Sequence, residues 1–121
     1  MYRYNYELTQ FGRAVYTLAT GEGDVRERLL IVFQGDLATL TPERLPNKVR
    51  EDFIWVKNQI TKFDEKYDGY NSKFKTEDGS LDYLMHTKIE GTLYRIRNKT
   101  GAKIARKIYE IWEKLKEDSQ Q

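Results

Sequence analysis

Residues 47–63 run Asn-Lys-Val-Arg-Glu-Asp-Phe-Ile-Trp-Val-Lys-Asn-Gln-Ile-Thr-Lys-Phe, and this stretch decides the fold. Its apolar residues recur at spacings of four, three, four and three, and they are Val49, Phe53, Val56, Ile60 and Phe63. Such spacing places them on one face of an α-helix, which turns once every ~3.6 residues. The segment therefore predicts an amphipathic helix over residues 47–63 with one side in a core.

Two further helical stripes precede this segment. They predict a first helix over residues 6–20 and a second over residues 25–40, with Gly35 as an interruption inside the second. Asp24, followed three positions later by Glu27, has the arrangement of a capping box. Because only Thr-Gly-Glu-Gly at positions 20–23 joins the two helices, we expect an antiparallel hairpin.

Two short segments lie outside these stripes. Residues 41–46 contain both prolines of the chain and predict a single helical turn before the helix of residues 47–63. At the N-terminus, Tyr2, Tyr4 and Tyr6 alternate with polar residues, and without a partner strand they predict an extended arm laid on the bundle.

The C-terminal segment, residues 81–117, is predicted to be helical and is about twice as long as the others. A continuous helix there would measure ~54 Å at ~1.5 Å per residue. Its apolar stripe keeps phase across Gly101, which favours an unbroken or merely kinked helix over a break near Gly101. The predicted fold is therefore an all-α antiparallel bundle, a single domain over residues 1–121, with four helices or with five if the last one breaks near Gly101.

Composition narrows the class of protein. The 121 residues include no Cys, which excludes disulfides and thiolate metal sites, and no apolar run approaches the ~20 residues that span a bilayer. The first residues lack the apolar stretch of a signal peptide. We therefore expect a cytoplasmic protein without a membrane partner. Charged residues make up 33% of the chain for a net charge of only +2, which is typical of a mixed, solvated surface.

No catalytic, cofactor-binding or metal-binding residue is predicted. The lone histidine, His86, has Asp82 one turn before it, but a metal site needs three or four ligands and no second histidine exists. A structural or solvated role for His86 is the expectation. The alternative is an enzyme with a carboxylate site assembled between helices, for which the candidates are Glu7, Asp36, Asp52 and Asp82.

Residues 64–79 show no periodicity and are long for a loop inside a compact domain. Tyr67, Tyr70 and Phe74 lie within them, and aromatic side chains can hold a loop against a core or contact a partner. The segment is therefore either an ordered covering loop or a recognition loop.

Charge is distributed unevenly along the chain. Residues 91–121 carry eight cations and four anions, whereas the preceding ninety carry thirteen and fifteen. The candidate polyanion-binding residues are Arg95, Lys99, Lys103, Arg106 and Lys107. On a continuous helix the first four align over ~16 Å, a stripe that could follow a phosphate backbone. The alternative is that these cations are solvated, or neutralised by acidic residues at positions 51, 52, 64, 65 and 68.

Two stretches resemble a group of small bacterial helical proteins with no assigned activity. They are Leu18-Ala-Thr-Gly-Glu-Gly-Asp-Val-Arg-Glu-Arg-Leu29 and Arg97-Asn-Lys-Thr-Gly-Ala-Lys-Ile-Ala-Arg-Lys-Ile108. The resemblance implies neither a mechanism nor site residues.

The leading hypothesis for function follows from the long last helix, whose surplus length needs a cover. It is a non-enzymatic protein-interaction module that self-associates or docks another protein. The alternative is nucleic-acid or polyanion binding through the basic residues between Arg95 and Lys107.

Overall fold

The computed structural model describes residues 1–63 and 81–121, without the side chains of residues 81–87. These ranges contain five α-helices and no strand, which confirms the predicted all-α class. The helices are α1 (Asn5–Thr20), α2 (Val25–Gln34), α3 (Asn47–Ile60), α4 (Leu81–Arg95) and α5 (Asn98–Ser119). The single turn predicted around the prolines is a 3-10 turn over Pro42–Arg44. None of these described helices is long and apolar enough to cross a membrane.

The bundle is organised around α5. This helix packs against α1, α2 and α3, while α4 packs against α2 and α3. One stripe of α5 is fully buried, and it consists of Ile104, Ile108, Ile111 and Leu115. Phe11 of α1 and Phe53 of α3 meet edge to face in the same core, with ring centroids 5.4 Å apart. The four-three-four spacing on α5 thus forms the same kind of buried face as the stripe on α3.

Asp24 caps α2, which is the first half of the predicted capping box. Asp24 Oδ1 accepts hydrogen bonds from the backbone N–H groups of Arg26 and Glu27, at 2.9 and 3.1 Å. Gly23 has a φ of +82°, a left-handed backbone conformation that residues with a Cβ rarely adopt. The hairpin is antiparallel, because Gln10 near the start of α1 donates to the Asp36 carbonyl just beyond the end of α2.

Three predicted boundaries were wrong. α3 ends at Ile60 instead of residue 63, with Thr61 as its C-cap. α2 ends at Gln34 instead of residue 40, because Gly35 caps it. Leu37 and Leu40 are nevertheless fully buried, in the turn that follows. At the N-terminus α1 begins at Asn5, so Tyr6 belongs to the helix and not to an extended arm.

The favoured unbroken last helix was also wrong. α4 ends at Arg95 and α5 begins at Asn98, with Arg97 extended between them (φ −84°, ψ 160°). The Arg26 guanidinium donates to the Ile96 carbonyl at 3.1 Å, which satisfies a carbonyl that the interrupted helix leaves open. Gly101 lies inside α5 and serves close packing, since a Cβ there would lie 2.9 Å from Val25 Cγ1.

The two chain termini meet at one hydrogen-bonded cluster. Tyr2 Oη donates to Asp118 Oδ2 at 2.6 Å, and Lys48 Nζ lies 2.9 Å from Asp118 Oδ1. Burial and the Asp118 hydrogen bond raise the pKa of Tyr2, and the bonds from Tyr2 and Lys48 lower the pKa of Asp118. The cluster therefore joins the start of the chain to the end of α5.

We expect this cluster to stabilise the fold only within a pH window. A carboxyl with a lowered folded-state pKa stabilises above its ordinary value of 3.8 and loses that effect as pH falls; a phenol with a raised pKa stabilises below 10.0 and loses it as pH rises. Urea unfolding of wild type and Tyr2→Phe should therefore differ most between these values. A difference that stays constant from pH 3 to pH 11 contradicts the assignment.

Candidate nucleic-acid interface

The exposed side of α5 is cationic in its first half. Arg97, Lys99, Lys103 and Arg106 are all exposed, and together they are called the basic face below. The three cations within the helix lie at relative positions zero, four and seven, opposite the buried isoleucines, so they share one side over ~10 Å. Residues 97–107 contain five cations and no acid, whereas residues 108–118 contain four acids and two cations.

The basic face is not neutralised by the carboxylates that the structure describes. Within residues 1–63 and 88–121, no carboxylate oxygen lies within 4.0 Å of a cationic nitrogen of Arg97, Lys99, Lys103 or Arg106. The candidate neutralising acids at positions 64, 65 and 68 lie outside the described residues. Of the others, Asp52 has lysine partners on α5, and they lie beyond this face.

Lys107, a predicted member of the site, differs from the basic face. Its Nζ lies 3.6 Å from Asp52 Oδ1 and 3.4 Å from Glu110 Oε1. Asp52 also binds Lys114, at 2.8 Å. The proposed neutralisation therefore occurs at Lys107, at the boundary between the cationic and acidic halves of α5.

Arg95 is the predicted site residue that the structure moves furthest from its expected place. It ends α4, and its guanidinium lies over the Phe63 ring, 5.3 Å from the centroid. Lys62 Nζ lies 5.9 Å from the same centroid. The predicted stripe of ~16 Å therefore loses its first member, and it gains Arg97, which the spacing on a continuous helix did not select.

The cations of the basic face are unfavourable for the stability of α5. Helix N-termini favour Ser, Thr, Asp or Asn as cap and acids in the first turn, because free N–H groups and the helix dipole are positive there. Here Arg97 is the cap, without a side-chain cap hydrogen bond, and the first turn contains Lys99 and no acid. Lys99 and Lys103 also repel each other one turn apart. The arrangement lowers helix stability and raises the local positive potential.

An exposed indole lies beside α5, next to the lysine that follows the basic face. Trp55 of α3 lies beside Lys107, whose Nζ is 5.8 Å from the ring. Helical spacing alone places Trp55 so that it widens or flanks the apolar stripe of α3. Its place next to α5 depends on how the two helices pair, which no local pattern reveals.

A separate polar cavity lies beside the N-terminal end of α1. Its volume is about 230 Å³, and it is lined by Arg3, Tyr4, Glu7, Glu43, Arg44 and Arg50. Glu7 is only 6% exposed and pairs with Arg44 at 3.2 Å. Arg50 donates to the backbone carbonyls of Leu45 and Glu43. Glu7, Arg44 and Arg50 thus already have partners within the protein.

The other predicted candidates are distributed as follows. Tyr67, Tyr70 and Phe74 of the predicted recognition loop lie outside the described residues, as do the side chains of Asp82 and His86. Glu7 and Asp52, two members of the alternative carboxylate site, bind different cations in different places. Among the described residues, no three His, Asp or Glu side chains are grouped so as to hold a metal ion.

Comparison of the chain with protein-family models, curated proteins and solved structures gave no match.

Proposed function

We propose that this protein binds nucleic acid through the basic face. The observation that carries the proposal is the set of four exposed cations at the start of α5 that no described carboxylate pairs. A phosphate backbone supplies the missing negative charge. Over ~10 Å, with one phosphate per ~3.4 Å of each strand, about three phosphates fit beside these side chains.

The energetics of α5 support the same proposal. A cation near a helix N-terminus typically lowers the stability of the helix by ~0.3–1 kcal/mol, because the helix dipole is positive there. Two like charges one turn apart lower it by a further ~0.2–0.5 kcal/mol. Arg97 and Lys99 incur the first cost, and Lys99 with Lys103 the second. A bound polyanion reverses both effects, because phosphate oxygens accept hydrogen bonds and neutralise the cations.

Fluorescence anisotropy with labelled oligonucleotides over a salt series tests the proposal. Three phosphate contacts at ~0.7–0.9 each predict a log–log salt slope of about −2 to −2.7. We expect micromolar affinity at 50 mM salt and a steep loss at 200 mM. Absence of binding at tens of micromolar protein in low salt would reject the proposal.

A second candidate is the interaction module that self-associates or docks another protein. The length of a single last helix no longer supports this candidate, because α4 and α5 are separate helices. An aromatic surface on α1 and α5 now supports it: Tyr16 is 70% exposed, and Tyr109 lies 5.7 Å from Trp112. Light scattering over a concentration series tests it, and a strict monomer at high micromolar concentration removes self-association.

A further inference from the structure

Trp55 is an aromatic side chain that stays partly exposed beside a buried stripe. Its neighbours Phe53 and Val56 are fully buried, yet Trp55 is 37% exposed. It belongs neither to the buried cluster nor to the partly buried apolar side chains that pack against that cluster. Trp112, the other tryptophan, does pack there. The exposed part of the Trp55 indole is therefore open to a ligand.

The pairing of α3 with α5 brings this indole to the basic face. Three contacts define an antiparallel register, and they are Lys48 to Asp118 at 2.9 Å, Asp52 to Lys114 at 2.8 Å, and Trp55 to Lys107 at 5.8 Å. Moving toward the C-terminal end of α3 thus means moving toward the N-terminal end of α5. Lys103 lies one turn beyond Lys107 in that direction, so one helical turn of α5 separates the cation beside the indole from Lys103 of the basic face.

A second pairing of cations with an aromatic ring lies at the far end of this edge. Phe63 follows the last turn of α3. Its ring centroid lies 5.9 Å from Lys62 Nζ and 5.3 Å from Arg95 Cζ. The Phe63 N–H donates to Thr92 Oγ1 of α4, which ends where α5 begins. Cations therefore lie near an aromatic ring at two places, inside α3 at Trp55 and just beyond its end at Phe63.

We propose that the ligand of the basic face is single-stranded nucleic acid, with an unpaired base stacked on Trp55 and phosphates on Lys99, Lys103 and Arg106. This inference rests on the proposed function. A positively charged track beside an exposed aromatic ring is the combination that binds single strands, because every unpaired base offers a flat π-face. In a duplex the bases are already stacked on one another, so the indole gains no partner there.

The test compares Trp55→Leu with the wild-type protein on single-stranded and duplex probes of the same length. We expect Trp55→Leu to bind oligo-dT and oligo-U about 5- to 150-fold more weakly, the range for loss of one stacked base. The salt slope should stay unchanged, because no phosphate contact is lost. Trp55→Phe should restore most of the affinity, and Trp112→Phe is the matched control that should leave it unchanged.

The outcomes separate this inference from the proposal beneath it. If wild type binds neither probe, both fail. If Trp55→Leu binds single strands and duplex as well as wild type does, or loses both equally with unchanged circular dichroism, the stacking inference fails and the basic face stands. Loss on oligo-dT alone or on oligo-U alone supports stacking and assigns the strand to DNA or to RNA.

Discussion

A variant carrying Lys99→Glu and Lys103→Glu is expected to bind single-stranded oligonucleotides about 15- to 30-fold more weakly than wild type at 0.15 M salt. Each phosphate contact contributes ~0.7–0.9 to the salt slope, which between 0.15 and 1 M corresponds to about four- to fivefold in affinity. Two lost contacts give the stated range, and repulsion by the new carboxylates adds to it. The log–log salt slope should become shallower by ~1.5.

The same variant is expected to unfold at a temperature a few degrees higher. Lys99 lies in the first turn of α5, where an acid interacts favourably with the helix dipole, by ~0.3–1 kcal/mol. A carboxylate at position 103 also precedes Lys107 by one turn, an arrangement that stabilises helices. Loss of binding with gain of stability distinguishes a functional surface from a folding defect.

The matched control for this variant is Arg3→Glu with Arg13→Glu. It changes the net charge by the same amount, and both arginines are exposed on or beside α1. Because α1 runs antiparallel to α5, with Tyr2 bonded to Asp118, Arg3 lies at the end of the bundle opposite Lys99. Anisotropy and thermal unfolding are measured on both variants. An equal loss of affinity in the control means that net charge, and not the basic face, governs binding.

Much of the helical fold could be predicted because its signals are local. The stripe of α3, the Asp24 cap and the turn at the prolines each lie within a few residues of sequence. The break before α5 could not be predicted in the same way. Its stabilising bond joins Arg26 to the Ile96 carbonyl across 70 positions of sequence, and a stripe that stays nearly in phase conceals the interruption.

The candidate site was predictable in part for a similar reason. Absence of acids between residues 91 and 109 is a property of the sequence, and it identified Lys99, Lys103 and Arg106. The exclusion of Arg95 and the inclusion of Arg97 depend on the break. Trp55 enters through the pairing of two helices that are about 50 residues apart in the chain, and helical periodicity describes faces but not registers.

The largest effect on stability is expected from Phe53→Ala in α3. Phe53 is fully buried and meets Phe11 edge to face at 5.4 Å. Replacing a buried phenylalanine by alanine typically costs ~3–5 kcal/mol, from lost transfer free energy and the cavity that remains. A domain of this size is stable by only ~5–15 kcal/mol, so the variant should be close to unfolding at 37 °C.

Phe53→Ala should also change the surroundings of Lys57. Lys57 Nζ lies 5.3 Å from the Phe53 ring centroid and 5.8 Å from that of Phe33, and burial lowers its pKa. Removing one ring admits water, so the pKa of Lys57 should rise toward its ordinary value, which NMR titration can follow at low temperature. The control for the stability of Phe53→Ala is Ile54→Ala, which truncates the next residue of the same helix, whose side chain is 45% exposed. We expect urea unfolding to show a much smaller loss of stability for Ile54→Ala, because a side chain that stays in water leaves no cavity behind. Equal losses at positions 53 and 54 would contradict the assignment of the buried face of α3, and with it the side of that helix on which Trp55 meets α5.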